Sequence, residues 1–201
     1  MCPILQNEKR GKCSARASRL LALLFLLLPF IATSAFAQQV HPTESQVKAA
    51  YLYNFGKFVR WPTDHPNADS MAICILGKDP FGEVLDSTVE GASIDGRKIT
   101  VKRLVNAADI SKDIAPCSIL FVSISEEGRL APLLAAAQRQ GLLTVSDIPH
   151  FAEHGGIIGL VMQENKIRFE VNRGAAEQSH VALSSELLKV AVRVIEKPPQ
   201  S

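Results

Sequence analysis

This chain of 201 residues carries almost no surplus of either charge, with 22 Lys and Arg against 20 Asp and Glu. What basic excess exists sits at the start, where Lys9, Arg10, Lys12, Arg16 and Arg19 accompany a single acid, Glu8. Without residues 1–37 the chain would hold 17 basic and 19 acidic groups. That excludes the electrostatic footprint of a nucleic-acid binder, and no run of Lys and Arg remains for an anionic membrane surface. Long apolar runs are scarce too. The run Leu20–Ala32 is thirteen residues, interrupted only by Pro29, and is too short to cross a hydrocarbon core of about 30 Å as a helix. G-x-x-x-x-G-K-[ST] and G-x-S-x-G are both absent, which removes the standard phosphate loop and the hydrolase nucleophile elbow.

The N-terminal segment instead has the three parts of a secretory signal: a basic stretch, a short apolar run, and small residues at Ser34-Ala35-Phe36-Ala37. Cleavage after Ala37 is expected, leaving Gln38–Ser201 as one domain of 164 residues outside the inner membrane. No cysteine follows the apolar run closely, which argues against a lipid anchor. Of four cysteines, Cys2 and Cys13 would leave with the signal, and Cys74 and Cys117 would remain. In an oxidising compartment the remaining two are a disulfide candidate if their strands are neighbours; two free, buried thiols are the alternative.

Aromatic residues are also few, twelve in all, and five of them crowd into residues 47–62. Thr43 and Gln46 have the spacing of a capping box that opens a helix. Val47, Tyr51, Phe55 and Phe58 then recur at helical spacing as its expected core face, and Trp61-Pro62 is expected to end it. Thr63–Ser70 reads as a loop. From Met71 onward short apolar runs alternate with helical stretches. Met71–Leu76, Ile99–Leu104, Ile119–Ile124 and Leu142–Ser146 read as strands, the second exposed on one side. Helices are expected from Asp79-Pro80 to Val89 and from Ser125 to Gln140, and a short helix or turn over Ala107–Ile114. Ile157–Met162 and Lys166–Val171 flank Gln163-Glu164-Asn165 as an edge hairpin, and a last helix is expected over Arg173–Glu196 with Leu183, Leu187, Val190 and Val194 on one face. The fold class is therefore α/β: a single domain with a mostly parallel central sheet flanked by helices, ending in an antiparallel hairpin and a final helix.

Three segments could carry chemistry. His150-Phe151-Ala152-Glu153-His154 matches H-x-x-E-H, in which two histidines one helical turn apart bind zinc and the glutamate activates water. Here Pro149 and Gly155-Gly156 leave barely one turn for it, so no metal site is assigned; a zinc hydrolase is the third-ranked function. Gly77–Gly82 follows a strand, where phosphate loops occur, but Pro80 removes a backbone donor. Ser146-Asp147 reads as a helix cap. Off the expected core face of the aromatic helix, Tyr53, Lys57, Arg60 and Trp61 are candidates for contact with a protein or small ligand, since aromatics and arginine anchor interfaces. A pocket near Lys57, Arg60, Arg168 and Arg173 would suit an anionic or aromatic ligand, and a periplasmic small-molecule sensor is the second-ranked function.

Lys48–Pro62, and Ile-Arg-Phe-Glu-Val-Asn at 167–172 ahead of Ser184-Ser185-x-Leu-Leu, resemble the YfiR-like family of periplasmic proteins. The resemblance covers nearly all of the mature chain. It implies a non-enzymatic, cofactor-free repressor that tends to form homodimers. Such a protein binds the periplasmic part of an inner-membrane diguanylate cyclase, and in the best-known system an outer-membrane lipoprotein sequesters it. Envelope or redox stress would then raise cyclic di-GMP and favour biofilm growth. Cys74 and Cys117 match the family's cysteine pair. A second pair in the best-known member has no counterpart, because Asp147–His154 contains no cysteine.

Overall fold

The computed structural model describes residues 41–61, 70–104 and 110–196. The expected signal segment, most of the 63–70 loop and the chain end from 197 lie outside these. The described elements are α1 (Glu44–Phe58), β1 (Val59–Arg60), β2 (Ser70–Leu76), α2 (Glu83–Val89), β3 (Ser93–Ile94), β4 (Arg97–Leu104), α3 (Ile110–Asp113), β5 (Ile119–Val122), a 3-10 turn (Ile124–Arg129), α4 (Leu130–Arg139), β6 (Leu143–Ser146), β7 (Ile158–Gln163), β8 (Lys166–Asn172), α5 (Arg173–Gln178), β9 (Ala182–Leu183), α6 (Ser185–Val190) and β10 (Arg193–Ile195).

Eight strands form one sheet in the order β10-β8-β7-β6-β5-β2-β4-β3, and β1 and β9 make a separate two-stranded ribbon. Only β7–β8 and β3–β4 are antiparallel within the large sheet. The runs that read as buried strands lie in its middle: β2 between β4 and β5, and β5 between β2 and β6. Side chains alternate across each strand, and so divide the core in two. Met71, Ile73, Ile75, Ile119, Phe121, Leu143, Val145, Ile158 and Phe169 face one side, where Leu52 and Phe55 of α1 and Leu85 of α2 cover them. Ala72, Cys74, Leu76, Leu120 and Val122 face the other, covered by Leu133, Leu134 and Ala137 of α4 and by Phe151. The result is a three-layer α/β/α domain.

Several expectations need correction. The first helix stops at Phe58, because Val59 and Arg60 pair with Leu183 and Ala182 as extended chain. Its buried face is Lys48, Ala49, Leu52, Phe55 and Gly56, leaving Phe58 38% exposed and Tyr51 half-buried. Asp79 does not cap a helix at residue 80. Its Oδ1 accepts the Phe81 N–H at 2.7 Å in a turn, and α2 starts only at Glu83. Ser125 accepts the Lys78 N–H at the carboxyl ends of β2 and β5, and it lies in the 3-10 turn that precedes α4. Ala107–Ile114, expected as a short helix or turn, holds the four-residue helix Ile110–Asp113 in its described part.

The largest miss is the C-terminal helix. Arg173–Glu196 folds as α5, β9, α6 and β10. His180 takes φ +54°, and Val181 N–H returns to Ala176 O, which closes α5. Ser184 then caps α6 by accepting the Leu187 N–H. The spacing of Leu183, Leu187 and Val190 mimicked a single helix, but Val190 is 66% exposed. β10 runs parallel to β8 and displaces the hairpin from the sheet edge.

Candidate functional site

The capping box that opens α1 is complete: Gln46 N–H donates to Thr43 Oγ1 at 3.3 Å, and Thr43 N–H to Gln46 Oε1 at 2.7 Å. From that fixed start the helix lies across the sheet, with Phe55 and Tyr51 stacked at 5.5 Å and both meeting Phe169 edge-on. Tyr51 also donates its hydroxyl to Ile167 O at 3.1 Å. This side of α1 is therefore core. Its other side presents Tyr53, with the Lys57 ammonium 3.9 Å from the ring centroid. Phe58 is partly bare, Arg60 is exposed on the ribbon, and Trp61 packs against the core with the Arg97 guanidinium 5.6 Å from its ring. Four of the expected contact residues, Tyr53, Lys57, Arg60 and Trp61, thus share one segment, and the fold adds Phe58 and Arg97 to them.

The other two candidates lie apart. Arg168 alternates with Ile167 and Phe169, which face α1, so its side chain points to the opposite face of the sheet. Arg173, at the start of α5, pairs with Glu177 at 3.0 Å and Glu196 at 3.4 Å. Lys57, Arg60, Arg168 and Arg173 therefore do not line one pocket.

A doubly wound sheet places its ligands at the carboxyl ends of the strands where the winding reverses. The first five strands of the large sheet with parallel neighbours, in chain order, lie 2-1-3-4-5 across it, so this point falls between β2 and β5. It is filled. Gly77 adopts φ +89°, and a Cβ there would stand 2.3 Å from Ser125 Oγ and 2.7 Å from Glu126 Oε1. Glu126 is buried and its carboxylate pairs with Arg129. A buried carboxylate seated where a phosphate would go works against nucleotide binding.

Two carboxylate-rich clusters hold the periphery. Arg103 joins Asp79 at 2.7 Å and also Asp86; the hydrogen bond from Arg103 holds the Asp86 carboxyl below its ordinary value. Arg193 of β10 joins Glu170 at 2.8 Å and Glu153 at 2.6 Å, and Glu153 also meets His150 at 2.9 Å. The glutamate of the H-x-x-E-H segment is thus engaged by an arginine. His150 has φ +58° and the segment folds as successive turns rather than a helix. Among the described residues no group of three His, Cys, Asp or Glu could hold a metal. Ser146, read as a cap, accepts the Ile148 N–H at 3.0 Å and donates to Val122 O at 2.6 Å.

Lys48 was passed over by sequence reasoning. It is buried on the core face of α1, with its ammonium paired to Asp147 after β6 and to Glu44 one turn earlier. Burial disfavours its charge, but hydrogen bonds to Asp147 and Glu44 outweigh this and raise its pKa above the usual lysine value. A lysine four and seven residues before Leu52 and Phe55, on the same helix face, was the available signal.

Cys74 and Cys117 are both buried and bonded, with Cα atoms 5.8 Å apart. They join β2 to the residue pair preceding β5, on the sheet face opposite α1.

The sequence model of the YfiR/HmsC-like family matches residues 45–192, and the chain belongs to that family. No curated protein matches. Among solved structures, a conserved domain protein from Vibrio cholerae O1 biovar eltor is similar, with a TM-score of 0.54 at 13% identity over 76% of this chain. The chain spans 60% of that protein's length, and the likeness is one of fold alone. The ABC domain in complex with L-Trp from Streptococcus pneumonia aligns at a TM-score of 0.48 and 11% identity, over 66% of this chain and 58% of that one.

Proposed function

We propose that this protein is a non-enzymatic periplasmic regulator, exported by a cleaved signal, that binds the periplasmic part of an inner-membrane diguanylate cyclase and holds it inactive. The observation that carries the reading is the family match across 45–192, nearly the whole folded unit Pro42–Ser201; known members of the family are periplasmic regulators of diguanylate cyclases. The filled switch point supports it, because regulation of this kind needs no nucleotide crevice in the regulator itself. So does the segment Tyr53–Trp61, whose aromatic rings and cations suit an interface centre. No helix among the described residues is long and apolar enough to cross a membrane.

Repression requires only that this surface bind the inactive cyclase more tightly than the active one. A preference of about 3 kcal/mol changes the balance roughly 150-fold. An outer-membrane lipoprotein that competes for the surface would release the cyclase, and a homodimer would present it twice.

The test is intracellular cyclic di-GMP in a strain lacking the protein, against the same strain with the gene restored. The reading expects a rise on deletion that the restored gene reverses, and a Lys57→Glu, Arg60→Glu variant that folds but does not reverse it. Unchanged cyclic di-GMP while the protein is expressed would overturn it.

A further inference from the structure

The Lys48 cluster opens onto a cavity. About 180 Å³ of space lies between the first half of α1 and the β7–β8 hairpin, lined by Glu44, Lys48, Asp147, Leu160, Val161, Met162 and Ile167. Its two walls differ in chemistry. On one side Lys48 Nζ joins Glu44 Oε1 and Asp147 Oδ2. On the other stand the apolar side chains of Leu160, Met162 and Ile167, of which Met162 is 60% exposed at the rim.

We infer that this cavity binds a small aliphatic ammonium ion, its charged head on the Glu44–Asp147 carboxylates and its carbon chain against Leu160, Met162 and Ile167. Two carboxylates share one ammonium here, so the cluster carries a net charge of −1 without a ligand. Each carboxylate uses one oxygen on Lys48 and retains its second as an acceptor. An anion would have to displace Glu44 or Asp147 from Lys48. A neutral apolar molecule would leave both acceptors unmatched, and a short alkylammonium meets both demands at once. The site is separate from the Tyr53–Trp61 surface but is built on the same helix. Tyr51, whose hydroxyl ties α1 to Ile167 of the cavity wall, stands between them. A ligand bridging α1 and the hairpin would therefore brace the helix that carries that surface.

The experiment uses the mature protein with 13C-methyl methionine, titrated with 1,5-diaminopentane and, separately, 1-pentanol. After signal removal the two methionines are Met71, fully buried in the core, and Met162, at the cavity rim, so one methyl reports and the other serves as control. The inference expects a saturable shift of the Met162 methyl with the diamine, no such shift at Met71, and none with pentanol. Glu44→Gln should weaken the diamine at least tenfold while leaving Lys48 paired to Asp147 and the domain folded. Absence of saturation, an equal response to pentanol, or an unaltered response in Glu44→Gln would each overturn it. None of these outcomes bears on cyclase repression.

Discussion

Breaking the Cys74–Cys117 bond should cost much of the stability of the domain while leaving the α1 surface intact. The two cysteines are 43 residues apart in sequence, and a crosslink closing a loop of that length removes unfolded-state entropy worth about 4 kcal/mol on the chain-entropy account. For a domain of this size each kcal/mol moves the melting temperature by roughly 2–4 °C, so the loss corresponds to about 8–16 °C. Thermal and urea unfolding should be compared for the oxidised protein, the reduced protein and the Cys74→Ala, Cys117→Ala double variant. If the bond acts on the unfolded chain, its removal also raises the urea m-value, because the released chain exposes more surface. The reduced protein isolates the crosslink, and the double variant adds the loss of two buried sulfur atoms. Both sulfurs are shielded from solvent, so reduction under native conditions should be slow unless the domain opens. Because Cys74 faces the side of the sheet away from α1, partner affinity measured well below the melting temperature should be unchanged. A drop of less than about 3 °C with an unaltered m-value would refute the entropic argument. Lost affinity in a reduced protein that is still folded would refute the separation of the two faces.

Three further outcomes can be checked independently. Gly156→Ala places a Cβ 2.0 Å from the Phe151 ring and should cost at least about 1–3 kcal/mol by overpacking, read as a lower urea midpoint. His180→Gly relieves a left-handed residue at the end of α5 and should stabilise by about 0.5–1 kcal/mol, net of the added chain entropy. Arg103 depresses the Asp86 carboxyl, so this pair's contribution is complete above about pH 4 and is lost as the pH falls through the lower folded value. Asp86→Asn should therefore flatten the stability curve below pH 4 and lower it slightly at pH 7.

The parts of the fold legible in the sequence were those whose signals are local. Thr43 and Gln46 satisfy each other's backbone groups within one turn, so their capping box needs nothing from the rest of the chain. Residues 71–76 and 119–122 are apolar on both faces, which only a central strand between two helical layers explains. The hairpin turn was placed correctly without a glycine, and Glu164 and Asn165 meet the backbone demand with φ of +49° and +58°. The C-terminal segment misled because its apolar residues repeat at helical spacing, whereas Leu183 is held by Val59, more than a hundred residues earlier. The same pairing ended α1 early.

The amino-acid sequence by itself determined the layer architecture, the central strands and the aromatic segment at 51–61, because each depends on composition and spacing within a few residues; the Cys74–Cys117 bond waited on β2 and β5 being neighbours. Only the tertiary structure decided which faces those residues show. It turned Arg168 away from Lys57, filled the switch point with Ser125 and Glu126, engaged Glu153 with Arg193, and drew Lys48 under α1 to meet Asp147. Those contacts join residues from about 40 to 100 positions apart, and the spacing within any one segment carries no information about them.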